Sequence, residues 1–296
     1  MAVTSPPLSH CLLGGRQNFS EPLALAPTCA NISLATQAQL IESATATECV
    51  SLLTFAAHCA FAYTVFVIVD VCIRLGMRRW STLARSASAV HDAEVRQCLV
   101  SSVHALYSVG ATFYLALCIE RPFGVDASLR HIPHGHITPV GCVFFAYLLW
   151  DLSHILFHRA IYAKCVAETA VHHVGFLLMM LINQRVLWFN YAFPVLYIGE
   201  LSTFFLNTRL LYRKFEVPEL WASACFALSF ALTRIFLMGG LVLHLLASYQ
   251  AALTLLGPAL RVSYLGGIPA MYCLNLFWFS KIVANVRKTL RSTKQL

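Results

Sequence analysis

Charge is scarce in this sequence: Asp, Glu, Lys and Arg make up 11% of its 296 residues, where a soluble domain carries about a quarter. A chain so poor in charge cannot clothe a water-facing surface, which excludes an ordinary soluble enzyme, a disordered chain and a coiled coil. The 11 cysteines contain no Cys-x-x-Cys pair and no zinc-type spacing, so no metal site and no cofactor are expected from them. Cys11, Cys29 and Cys49 lie before or at the first apolar run; the others read as small core residues. No internal repeat or low-complexity tract is visible. Residues 1–15 lack a basic start, and Pro6, Pro7, Gly14 and Gly15 interrupt any apolar core, so no signal peptide is expected there. Acidic residues are outnumbered 13 to 21 by Lys and Arg, for a formal net charge of +8. No base-reading or phosphate-cradling motif accompanies that excess, so nucleic acid is not an expected partner.

Apolar residues fill the space that charge leaves. They make up 58% of the chain, and the mean hydropathy is +0.69. About 20 apolar residues in helix cross a hydrocarbon core. Seven runs qualify, near 50–73, 98–119, 139–157, 166–183, 187–208, 219–249 and 262–284. The sixth is long and holds Gly239 and Gly240, which predict a kink or a split. The fold class is therefore an all-α polytopic membrane bundle or barrel of about seven spans. Residues 1–48 read as a loose tail and 49–296 as one transmembrane domain.

Basic residues orient this arrangement. With the N-terminus lumenal and the C-terminus cytoplasmic, 15 of the 21 Lys and Arg fall on the cytoplasmic side and 5 on the other, with Arg234 left inside the sixth run. That bias follows the positive-inside rule. The tail carries two glycosylation sequons, Asn18-Phe-Ser20 and Asn31-Ile-Ser33, which only a lumenal face could use. The first span is then its own targeting signal into a secretory-pathway membrane.

The informative residues are the polar ones inside the apolar runs, because a carboxylate facing lipid at mid-membrane costs about 2.5–3.5 kcal/mol. In the third run Tyr147, Asp151, His154 and His158 stand at i, i+4, i+7 and i+11, one face of a helix. The fourth holds Glu168, His172 and His173, with Glu168 one turn from His172 and able to orient it. Adjacent histidines diverge by about 100°, so one can face a cavity while the other bonds a neighbour. The fifth holds Pro194, then Glu200, Thr203 and Asn207 on one face, with Arg209 beyond. Arg234 needs an anionic partner, with Asp151 and Glu200 the two candidates. Ionisable groups on four spans aimed at one interior predict a pocket.

The stretch Tyr147-Leu-Leu-Trp-Asp151, the pair His172-His173, the stretch Glu200-Leu-Ser-Thr-Phe-Phe-Leu-Asn207-Thr-Arg209 and Arg234-Ile-Phe resemble, in that order, the TLC-domain superfamily, which includes the ceramide synthases. The resemblance spans about residues 50–290. It implies a helical barrel in the endoplasmic reticulum or a related membrane, with a lipid-sized tunnel. It also implies that His172, His173 and Asp151 are the catalytic positions if the protein is an enzyme, with Tyr147, Glu168, Glu200, Asn207, Arg209 and Arg234 around the substrate. The synthase His-Asp-x-x-Asp stretch is missing and Glu200 stands nearby, which resembles the non-synthase members more closely.

Four functions fit these features to different degrees. The first is a protein of membrane lipid homeostasis that binds, senses or moves membrane lipids. The second is an acyl-CoA-dependent acyltransferase of ceramide-synthase type. Here His172 or His173 is the base or nucleophile, Asp151 or Glu168 orients it, and Arg234 or Arg209 meets anionic charge. A di-iron oxygenase would use His154-x-x-x-His158 with the His pair, but too few nitrogen ligands are present. A channel or transporter lacks visible broken-helix repeats. The substrate and the oligomeric state are not legible in the sequence.

Overall fold

A computed structural model describes residues 52–81, 89–119, 132, 134–162, 166–183 and 189–293. The tail with its sequons lies outside them, as does Arg185. Hydrocarbon supplies no hydrogen-bond partners, so a spanning chain must close its backbone internally. Among the described residues the regular elements are helical throughout. They are α1 (Leu52–Ser81), α2 (Ala89–Leu117), α3 (His134–Phe157), α4 (Val166–Asn183), α5 (Ala192–Tyr197), α6 (Glu200–Lys214) and α7 (Leu220–Phe230). A π-helical segment (Ala231–Leu237) runs into α8 (Met238–Ala247). Then come α9 (Tyr249–Leu255), α10 (Pro258–Arg261), a second π segment (Val262–Gly267) and α11 (Ile268–Thr293).

Among the described residues five helices are long and apolar enough to cross a membrane: Leu53–Arg79, Asp92–Leu117, Gly135–Phe157, Leu220–Ala247 and Val262–Lys288; Val166–Leu181 is a shorter apolar helix. The expected fifth span, 187–208, is not one helix. It divides at Ile198 and Gly199 into α5 and the more polar α6, which continues to Lys214. The sixth span is continuous, and its irregularity is the π segment before the glycines. Gly239 serves packing: a Cβ there would stand 2.7 Å from the Tyr272 hydroxyl of α11.

The helices touch in a closed circuit. α2 packs on α3, α3 on α4, and α4 on the second π segment that starts the last span. α11 meets α7 and the first π segment, α7 lies along α6, and α6 returns to α2. α1 docks outside the circuit, against α3 and α2. Its apolar window is only 17% buried, against 61% for α3, so α1 is a lipid-facing helix and α3 an interior one. Tyr147, Trp150, Phe144, Phe193 and Tyr197 fill the core between α2, α3 and α5. Cys59, Cys98, Cys118 and Cys142 are buried. An Arg96–Asp70 ion pair at 2.8 Å clips α1 to α2, and Lys214 pairs with Glu94 to join α6 to α2.

α6 packs between α2 and α7 and buries Ser202 and Asn207. It ends in a reversed turn: the Val217 N–H donates to the Tyr212 carbonyl at 2.9 Å and the Glu216 N–H to Arg213 at 3.3 Å. Glu216 adopts φ 54° there, the left-handed conformation that glycine takes most easily. Replacing Glu216 with Gly should therefore stabilise the protein, by about 1 kcal/mol. A thermal-unfolding scan in detergent checks this; a lower midpoint than wild type would contradict it.

Candidate functional site

The stripe on α3 meets a matching stripe on α2. The Tyr147 hydroxyl and Ser101 Oγ lie 2.8 Å apart. Gln97 Nε2 donates to Asp151 Oδ1 at 2.9 Å, and His154 Nε2 donates to the Ala93 carbonyl at 3.2 Å. Residues 93, 97 and 101 descend as 147, 151 and 154 ascend, so the two antiparallel helices are laced by polar rungs. Above the rungs His104 stacks on Tyr147 with ring centroids 3.6 Å apart, and its Nε2 lies 3.1 Å from the Tyr197 hydroxyl. The sequence reading missed Gln97, Ser101 and His104. The signal was present: Gln97, Ser101, His104 and Ser108 repeat the i, i+4, i+7, i+11 spacing of the α3 stripe.

Asp151 is 4% exposed and is contacted from a third helix. His173 Nε2 lies 3.0 Å from Asp151 Oδ2, and His173 Nδ1 lies 2.8 Å from the Thr169 carbonyl. A carbonyl only accepts, so Nδ1 carries a proton. Nε2 then faces a carboxylate oxygen, and that contact requires a second proton between them. The pair is an imidazolium with a carboxylate, or an imidazole with a carboxylic acid; in either form its net charge is zero.

His172 diverges from its neighbour as the helix geometry requires. Its ring packs edge-on to Phe176, at 4.8 Å, and to Trp278 of α11, at 5.1 Å. Its buried Nδ1 has no hydrogen-bond partner among the described residues. Glu168 does not orient it. That carboxylate lies in the exposed first turn of α4 and turns to α11, accepting from Lys281 Nζ at 3.3 Å and Trp278 Nε1 at 3.4 Å.

Arg234 resolves its two candidate partners in favour of Glu200. Its Nη2 donates to Glu200 Oε1 and to Thr203 Oγ1, each at 3.2 Å. Its Nε reaches Ser202 Oγ at 2.8 Å and the Gly199 carbonyl at 3.2 Å. These partners stand at the junction of α5 and α6, where the chain tightens to i→i+3 bonds, Gly199 N–H to Leu196 and Ser202 N–H to Gly199. Gly199 also keeps the approach open, since a Cβ there would meet the Leu196 carbonyl at 2.9 Å and Arg234 atoms at 3.5 Å. On the other side the π turn adds a residue per turn and re-aims Arg234; such insertions recur at functional sites.

Two cavities adjoin at these groups. One, of about 200 Å³, lies among Gln97, Ser101, Tyr147, Asp151, His173 and Asn207. The other, of about 370 Å³, is mostly apolar, with Leu206, Phe226, Phe230, Trp278 and Ile282 in its wall and Lys281 at its edge. His172, Thr203, Leu206 and Arg234 belong to both. The structure thus gathers Tyr147, Asp151, His172, His173, Glu200, Asn207 and Arg234 around one space. It leaves Glu168 and Arg209 out of both linings; Arg209 faces Glu219, at 4.0 Å. Trp278 and Lys281 join the wall from a helix in which the sequence reading had marked no site. Among the described residues, no three His, Cys, Asp or Glu side chains converge as metal ligands.

Because both side chains are largely buried, Arg234→Leu strands Glu200 and should cost about 3–5 kcal/mol. The double variant with Glu200→Leu should recover much of that loss. Unfolding midpoints of the two variants check the pair; equal losses in both would mean the ion pair is not what holds α6 to the sixth span.

The TLC domain family model matches residues 94–284, well over half of the chain. No curated protein matches it.

Proposed function

The chain belongs to the TLC domain family, and from that premise we propose that it acts in membrane lipid homeostasis by holding the polar end of a membrane lipid between Arg234, His172 and Asn207. The carrying observation is the adjoining pair of cavities, of which the first is the more polar, with Gln97, Ser101, Asp151, His173 and Asn207 beside Phe144, Leu148 and Leu210, and the second the more apolar, with Leu206, Phe226, Phe230 and Ile282 beside Thr169 and Ser202. A lipid has the same division. Its head group meets Arg234, already held by Glu200, Ser202 and Thr203, together with His172 and Asn207, and its chain lies along apolar side chains. Five long apolar helices place the protein in a membrane. Its home is the endoplasmic reticulum or another secretory-pathway membrane, with the N-terminus lumenal.

One observation favours a second reading, acyl transfer from acyl-CoA. His172 Nδ1 has no partner among the described residues, and the neighbouring His173 is held by Asp151 and Thr169. In this reading an amine or hydroxyl attacks the thioester carbonyl carbon. His172 takes the proton of the attacking group and returns it to the departing thiolate as the C–S bond breaks. Arg234 then faces the developing oxyanion.

Leu206 belongs to both cavity walls, so Leu206→Trp should cut the lipid that co-purifies with the protein several-fold while the protein level holds; lipid extraction and mass spectrometry of the purified protein check this. His172→Ala separates the two readings. An altered acyl-chain composition of cellular lipids at constant protein level supports transfer, and an unchanged composition removes it.

A further inference from the structure

Resting on the lipid-holding reading, we infer that the polar end received in the smaller cavity is an uncharged hydroxyl, as in a diacylglycerol, a sterol or a long-chain alcohol, and that Asn207 and His172 bind it. The charge count around that cavity is already closed. Arg234 is matched by Glu200, and the proton between His173 and Asp151 leaves that pair neutral. At the edge of the larger cavity Lys281 is likewise matched by Glu168. A phosphate or an ammonium entering the smaller cavity would therefore add a charge with no unmatched counter-charge, in surroundings where an unmatched charge is costly.

The hydrogen-bond count is not closed. Gln97 is used by Asp151, Ser101 by Tyr147, and His173 by Asp151 and Thr169. Two residues that line the cavity each hold a buried atom with no hydrogen-bond partner among the described residues, Asn207 Nδ2 and His172 Nδ1. Asn207 is only 6% exposed. Both side chains can serve in either sense. The amide can rotate to offer N–H or oxygen, and the imidazole can offer N–H or lone pair according to its tautomer. One donor and one acceptor without formal charge fit a hydroxyl, which needs both.

The test uses the full chain purified in nanodiscs of phosphatidylcholine containing either dioleoylglycerol or phosphatidic acid with the same chains. Lipid retained by the protein is read by native mass spectrometry. Dioleoylglycerol should be retained over phosphatidic acid by about tenfold. Asn207→Leu should lose most of that retention with an undiminished unfolding midpoint, because it removes a buried unpaired group rather than a contact. Glu200→Gln frees the Arg234 charge and should move the preference toward phosphatidic acid. Equal or better retention of phosphatidic acid by wild type overturns the inference, as does full retention of dioleoylglycerol by Asn207→Leu. If neither lipid is retained by wild type or by Leu206→Trp, the lipid-holding reading itself fails.

Discussion

A guanidinium at membrane depth must take its partners from the chain, because hydrocarbon offers none. Arg234 sets that requirement here, and much of the interior follows from it. Glu200, Ser202, Thr203 and the Gly199 carbonyl all have to face one point. At Ile198 and Gly199 the chain tightens to i→i+3 bonds, and α6 starts there with Glu200, Ser202 and Thr203 at Arg234. α6 closes the circuit between α7 and α2, with Ser202 and Asn207 buried. The cavities lie between these groups and the facing helices α2, α3, α4 and the last span.

The second set of polar groups obeys the same rule by a different device. α2 and α3 exchange hydrogen bonds at three rungs, Ser101 with Tyr147, Gln97 with Asp151 and the Ala93 carbonyl with His154. Asp151 also reaches further, since His173 comes to it from α4. That contact ties the laced pair to the wall that also carries His172. The polar ladder and the arginine clasp therefore border one space from opposite sides.

What was legible in the sequence follows from where the signal was local. The α3 stripe stood out because an aspartate and two histidines in an apolar run admit one face only. Glu200 and Arg234 stood out as charges in such runs. Gln97, Ser101 and His104 share that geometry but two of them are neutral and small, and a search for charge passes over them. Glu168 was assigned to His172 by its spacing of four, yet the first turn of α4 is exposed and α11 offered Lys281 and Trp278. Nothing within the α4 sequence reports the approach of α11. The division of the fifth span was also hidden: Pro194 marks an irregularity, but the break falls five residues on, where tertiary demand from Arg234 places it. Gly239 and Gly240 suggested a split helix, whereas the distortion is the π turn at 231–237 and Gly239 makes room for Tyr272. Glycine in a helix signals close approach as readily as a break.

Two of the places where regular structure is given up lie together. The tight turn around Gly199 and the π segment holding Arg234 flank the junction of the two cavities, while α3, which supplies much of the core, runs without interruption. Leaving a buried polar atom without a partner costs about 1–3 kcal/mol, and an apolar side chain at Asn207 would avoid it. A bundle selected for stability alone would have closed the void with leucine and straightened both helices. Distorted backbone, matched charges and two unmatched hydrogen-bonding atoms at one void are what a site looks like when the last partner comes from outside the chain.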